Sequence, residues 1–329
     1  MARRRLSTDA LEAGVLAGDR GLLARAITLV ESTRAADAAQ ANDLMERLLP
    51  HTGGAWRVGI SGVPGVGKST LLDALGMFLL EQGRRPAVLA VDPSSALSGG
   101  SILGDKTRME RLASDPRAFI RPSPAAQTLG GVARRSHETL LLCEAAGFDV
   151  VLVETVGVGQ SETLVADLVD TFVLLLLPGA GDELQGIKRG IVELADVLAV
   201  NKCDADRSKA KRAALEYRAA LHYLRPRTPG WTPTVGLLSG ETGEGLPELW
   251  AGVAAHRDAL QAGGTLERQR ADQLGRRLWQ LLREGLMSAF RGRDGADSAL
   301  AAMEESVRSG TKTPGRAAEE LLANFAQRG

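Results

Sequence analysis

The sequence is short of cysteine, histidine and aromatic side chains, and each shortage removes a class of protein from consideration. Only two of its 329 residues are cysteines, Cys143 and Cys203, and they form no CxxC pair. Two thiols make a poor disulfide framework, which favours a reducing, cytoplasmic setting. The four histidines are scattered, so there is no His-rich tract of the kind that binds metal ions. Aromatic residues make up 4% of a chain rich in Ala, Leu and Gly, which is typical of a globular protein.

A net charge and a long apolar run are also lacking. Forty basic side chains balance forty acidic ones, so no global field would attract nucleic acid or an anionic membrane. The apolar run from Phe172 to Leu177 is far shorter than the roughly 20 residues that cross a bilayer. The basic start MARRR is followed by no apolar core, and Asp9 and Glu12 interrupt any amphipathic presequence. We therefore expect neither nucleic acid nor a membrane as a partner.

The order of apolar patterns predicts the fold class. Residues 7–49 carry apolar side chains at helical spacing, and Pro50 and the pair Gly53-Gly54 end that pattern. From Trp56 onward, helical segments alternate with short β-rich runs, namely WRVGIS, PAVLAVD, AFIRP, DVVLVE, TFVLLLL, DVLAVN and PTVGLL. Such alternation predicts an α/β fold with a doubly wound, mainly parallel sheet. Strand signals then stop, and helices are predicted at residues 266–290 and 317–325.

These patterns divide the chain into three predicted parts. Residues 1–55 form an N-terminal helical extension, residues 56–262 the sheet domain, and residues 263–329 a C-terminal helical arm. The glycine pair Gly263-Gly264 is the expected hinge before the arm.

A phosphate-binding loop follows the first predicted strand. The stretch GVPGVGKS fits the pattern G-x-x-x-x-G-K-[ST] at every fixed position, between a strand and a helix. In such a loop, backbone N–H groups and the helix N-terminus point at phosphate oxygens. Lys68 would reach the outer phosphates and the Ser69 hydroxyl would bind Mg²⁺. The expected nucleotide contacts are Gly62, Val63, Pro64, Gly65, Val66, Gly67, Lys68, Ser69 and Thr70.

A second motif indicates which base is bound. The stretch NKCD, residues 201–204, directly follows an apolar strand and has the N-K-x-D pattern of GTP-binding proteins. The Asp204 carboxylate can accept two hydrogen bonds from guanine, a pair of donors that adenine lacks. Asn201 and Lys202 would brace the loops around the base. The later stretch LLSGETGEG is similar to a final base-binding loop, with backbone contacts expected near Ser239 and Gly240.

Acidic residues at strand ends predict the metal environment. The strand VVLVE ends in Glu154, which begins the stretch ETVG where many P-loop proteins have D-x-x-G. A glutamate can reach Mg²⁺ there, most simply through a bound water. Asp92 and Asp105 lie in a Gly/Ser-rich stretch and are expected at the same metal, although Asp105 could instead cap the following helix. The predicted metal residues are therefore Ser69, Asp92, Asp105 and Glu154.

The sequence predicts slow hydrolysis by the chain alone. No Gln directly follows Gly157, and Gln160 comes only later, so the attacking water lacks an obvious orienting group. Lys188, Arg189 and Arg108 are candidate cations for a partner-assisted step, and a solvated surface role is open for each. The residues predicted to act in catalysis are Lys68, Asp92, Asp105, Glu154 and Lys188.

Taken together, GVPGVGKST, VDPSS, GDKTRM, VETVGVGQSE, PGAGDELQGIKRG and NKCD resemble the motifs of the MeaB/ArgK family of P-loop GTPases. The resemblance implies a GTP- and GDP-binding chaperone of adenosylcobalamin-dependent methylmalonyl-CoA mutase. Proteins of this family gate cofactor delivery to that mutase and protect it from inactivation. The resemblance also implies Mg²⁺ as cofactor and a homodimer formed through the C-terminal helices.

Two other functions remain open at the level of sequence. A small-molecule kinase could use the same phosphate loop to transfer the γ-phosphoryl group, although NKCD favours guanine where most such kinases use adenine. A metal-delivery GTPase for nickel would be expected to carry His-rich or paired Cys ligands.

Overall fold

The computed structural model describes residues 6–32, 34–91, 109–121, 129–155, 161–179, 189–223, 226–293 and 295–327. In these residues, seven strands form one sheet in the order β3-β2-β4-β1-β5-β6-β7, and every neighbouring pair is parallel. The strands are β1 (Trp56–Gly62), β2 (Pro86–Val91), β3 (Phe119–Arg121), β4 (Val150–Thr155), β5 (Thr171–Leu176), β6 (Val197–Val200) and β7 (Thr234–Leu237). The predicted doubly wound sheet is confirmed.

Helices cover both faces of this sheet. They are α1 (Thr8–Leu16), α2 (Arg20–Val30), α3 (Ala35–Leu48), α4 (Lys68–Glu81), α5 (Glu110–Ser114), α6 (Leu129–Ala145), α7 (Ser161–Ala166), α8 (Arg189–Val192), α9 (Arg207–Leu221) and α10 (Leu246–Ala262). One core lies against α1–α3, α6 and α9, and the other lies against α4, α5 and α10. Strands β4, β5 and β6 are buried at every position, which explains why their sequences are apolar without alternation.

The first two N-terminal helices, α1 and α2, begin at side-chain caps, and α1–α3 pack into the first of these cores. The Ser7 hydroxyl accepts a hydrogen bond from Ala10 N, and the Asp19 carboxylate accepts from Gly21 N and Leu22 N. The apolar positions at helical spacing, Leu11, Val15, Leu23, Ala26, Ile27, Leu44 and Leu48, are buried with residues of the sheet. The helical periodicity of residues 7–49 therefore reflects a face packed against the core.

The chain divides into two compact units, residues 1–271 and 272–329. Three further helices are described after residue 262: α11 (Thr265–Arg291), α12 (Ala296–Arg308) and α13 (Pro314–Gln327). The helices predicted at 266–290 and 317–325 correspond to α11 and α13. The assignment of the three sequence segments as separate parts remains a prediction. None of the helices in the described ranges is long and apolar enough to cross a membrane.

A buried ion network fixes the first turns of α11 to the base of the sheet. The Arg270 guanidinium binds the Asp170 carboxylate through Nε at 2.7 Å and Nη2 at 2.6 Å, and its Nη2 also donates to the Ala55 carbonyl at 2.8 Å. Nearby, Arg57 binds Glu144 through Nε at 2.7 Å and Nη2 at 3.1 Å. The backbone N–H of Arg57 donates to Asp170 at 3.1 Å, so the two ion pairs form one network.

Candidate nucleotide-binding site

The phosphate loop joins β1 to α4 through glycines that no other residue could replace. Gly67, the N-cap of α4, has a φ of 98°, and a Cβ there would lie 2.7 Å from Asn201 Nδ2. Gly62 has a φ of 155°, and a Cβ there would lie 2.7 Å from the Leu175 carbonyl oxygen. Both positions therefore need glycine for backbone conformation and for space. Helix α4 begins directly after this loop, so that its N-terminus adjoins the loop. This arrangement binds phosphate in other proteins.

Lys68 lies inside the loop that precedes it. Its Nζ donates to the Gly62 carbonyl at 2.8 Å and contacts the Val63 carbonyl at 3.4 Å. Burial lowers the pKa of the Lys68 ammonium, and the negative charges of Glu154 and Glu162 oppose that shift. The positive charge of Lys68 is thus surrounded by backbone oxygens and carboxylates. An anionic ligand bound by the loop would lie near this charge.

The structure brings Ser69 and Glu154 together, as the metal prediction requires. The Ser69 hydroxyl donates to Glu154 Oε1 at 3.3 Å, and Glu154 is only 4% exposed. A hydroxyl and a carboxylate are hard oxygen ligands, so this pair fits Mg²⁺. A buried carboxylate at a strand end is costly unless a cation compensates it. Lys68 contributes such compensation.

Asn201 connects the predicted base loop to the phosphate loop. Its amide Nδ2 donates to the Val66 carbonyl at 2.7 Å, and its Oδ1 accepts from the Gly240 backbone N–H at 3.0 Å. The side chain is 2% exposed and uses both ends of its amide. Asn201 thereby joins three segments that are far apart in the sequence, and it has the geometry expected for a bracing residue.

Two other residues of NKCD, Lys202 and Asp204, face solvent where a base could reach them. Asp204 and Lys202 are exposed, whereas Cys203 is buried between them. Lys202 has a φ of 60°, and it is the one non-glycine residue with positive φ in the described ranges. Such a conformation costs free energy in a non-glycine residue and is frequent at functional sites. The Lys202 backbone therefore holds the loop in an unusual shape beside Asp204.

The loop at residues 239–245 is folded onto this region by its own hydrogen bonds. Ser239 N donates to the Glu244 carbonyl at 2.9 Å, and Gly243 N donates to the Ser239 carbonyl at 2.9 Å. A Cβ on Gly240 would lie 3.0 Å from the backbone nitrogen of Leu71 in α4. Ser239 and Gly240 therefore lie close to the phosphate loop and to Asn201, where base-contacting backbone was expected.

Several predicted site residues lie outside the described part of the chain. These are Asp92, Asp105, Gly157, Gln160, Arg108 and Lys188, while Arg189 begins α8. Among the described residues, no group of three or more His, Cys, Asp or Glu side chains could hold a metal ion. The roles assigned to Asp92, Asp105 and Lys188 remain predictions.

The structure adds three residues near the site to which the sequence analysis assigned no role, namely the pair Thr155 and Ser61, and Glu162. The Thr155 hydroxyl donates to the Ser61 hydroxyl at 3.0 Å, and both side chains are buried at the ends of β4 and β1. Glu162, which is 6% exposed, acts electrostatically on Lys68. The motif windows could have flagged Thr155 and Glu162, because both lie within VETVGVGQSE. Ser61 directly precedes the phosphate loop, but its pairing with Thr155 depends on strand order.

The chain is similar to known proteins along most of its length. Residues 23–294 match the family model described as methylmalonyl Co-A mutase-associated GTPase MeaB. This chain is 56% identical over 320 residues to a Caulobacter vibrioides protein described as a GTPase. The match covers 97% of this chain and 98% of that protein. The mitochondrial methylmalonic aciduria type A homolog of Mus musculus is 47% identical over 334 residues, covering 97% of this chain and 80% of that protein.

A solved structure supports the same assignment. The crystal structure of an LAO/AO transport system kinase superposes with a TM-score of 0.80 at 35% sequence identity, covering 99% of this chain and 100% of that chain. The family match, the sequence identities and the shared fold point to one family. The chain belongs to the MeaB family of P-loop GTPases.

Proposed function

We propose that this GTPase is a chaperone of an adenosylcobalamin-dependent methylmalonyl-CoA mutase, gating cofactor delivery to the mutase and protecting it from inactivation. The observation that carries the proposal is the family match over residues 23–294, because the family is described by its association with methylmalonyl-CoA mutase. The name of the mouse relative, a methylmalonic aciduria type A homolog, points to the same metabolic step.

The geometry supports separate roles for the residues of the proposed site in binding the phosphates, the base and the metal ion. The amides of residues 62–70 and the Lys68 ammonium would bind the phosphates, and Asp204 would accept hydrogen bonds from guanine. Ser69 and Glu154 would hold Mg²⁺, together with Asp92 and Asp105 as predicted from the sequence. The metal would supply positive charge to the phosphates when bound. Asn201 would hold the base loop and the phosphate loop in fixed relative positions through its hydrogen bonds to Val66 and Gly240.

An exposed apolar stripe on α11 supports the proposed homodimer. We define the α11 apolar stripe as Leu274, Leu278, Trp279, Leu282, Leu286 and Met287, all at least 46% exposed. Four of these residues recur at every fourth position, so they lie along one face of the helix. Contiguous exposed apolar surface of this kind marks interaction sites. A second copy of the helix would bury it against an identical surface, as isologous dimers do.

The first experiment is the rate of GTP hydrolysis by the purified protein, alone and with an adenosylcobalamin-dependent methylmalonyl-CoA mutase. We expect slow turnover alone and a severalfold rise with the mutase. An unrelated acyl-CoA enzyme without cobalamin serves as the protein control. Lys68→Ala serves as the site control and should remove both rates. An unchanged rate at saturating mutase would refute activation by this client.

A second candidate function is that of a small-molecule kinase, because one solved structure that superposes on this chain is that of a transport system kinase. GTP labelled at the γ-phosphate separates the two functions. Label found only in inorganic phosphate supports the GTPase chaperone, whereas label in a small-molecule product of a metabolite extract supports the kinase.

A further inference from the structure

The two loops that we assign to the guanine base are joined by an exposed ion pair. Arg207 is the first residue of α9, and its Nη1 contacts Oε1 of Glu244. Their side chains are 57% and 38% exposed. Arg207 follows Asp204 along the chain, and Glu244 follows Gly240, so the pair bridges the two loops on their solvent side.

Two other links join the same loops deeper in the protein. Cys203 N donates to the Leu238 carbonyl at 3.0 Å, and Gly240 N donates to Asn201 Oδ1 at 3.0 Å. Cys203 and Asn201 are buried, so these bonds fix the inner ends of the loops. Asp204 lies on the exposed side of them, in the segment between Cys203 and Arg207. The ion pair therefore restrains the outer end of the segment that carries Asp204.

The Glu244 carboxylate interacts electrostatically with both ends of the segment from Cys203 to Arg207. Burial raises the pKa of the Cys203 thiol, and the negative charge of Glu244 raises it further, while Arg207 lowers it. Glu244 is itself held by its loop, since its carbonyl accepts from Ser239 N at 2.9 Å. One carboxylate thus faces Cys203 and Arg207 on either side of Asp204.

We propose that Arg207 and Glu244 are positioning residues for guanine recognition, which set how long GDP stays bound and how strongly guanine is preferred to hypoxanthine. This inference rests on the proposed contact between Asp204 and the base. Hydrogen bonds weaken steeply as their geometry departs from the optimum. Hypoxanthine lacks the exocyclic amine and offers Asp204 one donor, so a loosened loop would weaken guanine binding more than hypoxanthine binding.

The test compares Arg207→Gln, Glu244→Gln and the double variant with the unaltered protein. The measurements are the dissociation rate of fluorescently labelled GDP and the affinities for GDP and inosine diphosphate. We expect each single variant to release GDP about two- to fivefold faster, the range expected for an exposed ion pair. The ratio of GDP to inosine diphosphate affinity should fall by a similar factor, and the double variant should be no worse than either single variant.

Three controls separate positioning from a general structural effect. Arg207→Lys keeps the charge and should recover most of the slow release. At about 1 M salt, the difference between the unaltered protein and the Gln variants should shrink, because screening weakens an exposed pair. Arg316→Gln removes a comparably exposed partner of Glu320, which it contacts at 3.1 Å, and should leave GDP release unchanged. Unaltered unfolding temperatures would show that all variants are folded.

The outcomes distinguish this inference from the base assignment beneath it. Unaltered GDP release and base preference in both single variants would overturn the role of the pair, as would additive effects in the double variant. Asp204→Asn tests the base site itself and should abolish the preference for GDP over inosine diphosphate. If Asp204→Asn keeps that preference, the base assignment fails, and the inference fails with it.

Discussion

At the scale of the single residue, the site depends on side chains and glycines that leave no room for substitution. Asn201 uses both ends of its amide, and Gly67 lies against it with the backbone in a conformation that L-residues rarely adopt. The glycines of the phosphate loop were identified from the motif alone. The reason Gly67 must be glycine is tertiary, because the atom that excludes a Cβ belongs to Asn201.

We expect Gly67→Ala to lose most nucleotide binding. A Cβ at this position would lie 2.7 Å from Asn201 Nδ2, and a positive φ costs an Ala residue about 1–2 kcal/mol. Relief of the clash would move Asn201 away from Val66 and Gly240. Titration with fluorescent GDP should show a loss of affinity of at least roughly tenfold, as expected when about 1.4 kcal/mol or more is lost.

Gly54→Ala is the matched control, because a Cβ there would meet nothing within 4 Å. It should bind GDP like the unaltered protein. Equal affinities for all three proteins would contradict the role assigned to Gly67.

At the scale of the elements, a buried polar cluster joins the N-terminal ends of β5 and β6 to α10. His256 of α10 is fully buried, with Nδ1 2.8 Å from the Thr171 hydroxyl and Nε2 3.0 Å from the Thr228 hydroxyl. Its Nε2 is also 3.3 Å from the Asp196 carboxylate. Asp196 in turn accepts from Phe172 N at 2.9 Å. The cluster therefore links two strands and a helix through one imidazole.

This cluster predicts a pH dependence of stability. Burial lowers the pKa of the His256 imidazole, against the attraction of Asp196 and Asp170, and Arg227 lowers it further. The folded-state pKa lies below the unfolded value of 6.5, so the folded state loses stability relative to the unfolded state as the pH falls below 6.5 and through the folded pKa. Burial raises the pKa of the Asp196 carboxyl, which acts in the opposite sense, because a folded state that holds its proton more tightly gains stability as the pH falls. A variant that lacks only the imidazole separates the two contributions.

The measurement is urea unfolding of the unaltered protein and of His256→Gln between about pH 7.5 and 5.5. Gln can keep hydrogen bonds to the Thr hydroxyls but does not titrate. The unaltered protein should lose more unfolding free energy than the variant as the pH is lowered. Parallel curves for the two proteins would show that His256 does not titrate as inferred.

At the scale of the whole molecule, the two compact units carry different kinds of surface. The unit of residues 1–271 contains two cores of buried apolar side chains around the sheet. The α11 apolar stripe lies in the unit of residues 272–329 and is exposed. The proposed homodimer would cover this stripe.

If the chain forms the proposed homodimer, we expect Leu278→Arg with Leu286→Arg to convert it to a monomer. These side chains are 66% and 53% exposed, so the changes should not unfold the chain, whereas two buried charges would oppose association. Light scattering after gel filtration reports the mass, and circular dichroism checks the helices. Leu215→Arg in α9, at a side chain that is 63% exposed, is the control and should remain dimeric. A monomeric unaltered protein, or a dimeric double variant, would argue against this interface.

The sequence by itself was enough to predict those features that are encoded in contiguous residues. The parallel sheet follows from alternating strand and helix patterns, and the phosphate loop and NKCD follow from short motifs whose spacing reflects local backbone geometry. The family was identified from the same motifs. The roles of Asp92, Asp105 and Lys188 rest on the sequence alone and remain predictions.

Contacts between distant side chains depend on the three-dimensional fold. The contacts Asn201–Val66, Ser69–Glu154, Arg207–Glu244 and Arg270–Asp170 join residues 37 to 135 positions apart. No local pattern encodes such pairs, because they depend on strand order and on how helices pack against the sheet. A polar residue in a loop can be solvated or paired, and its sequence neighbours do not distinguish the two. Burial decides the pKa directions of Lys68 and His256 for the same reason, since desolvation depends on the packed surroundings.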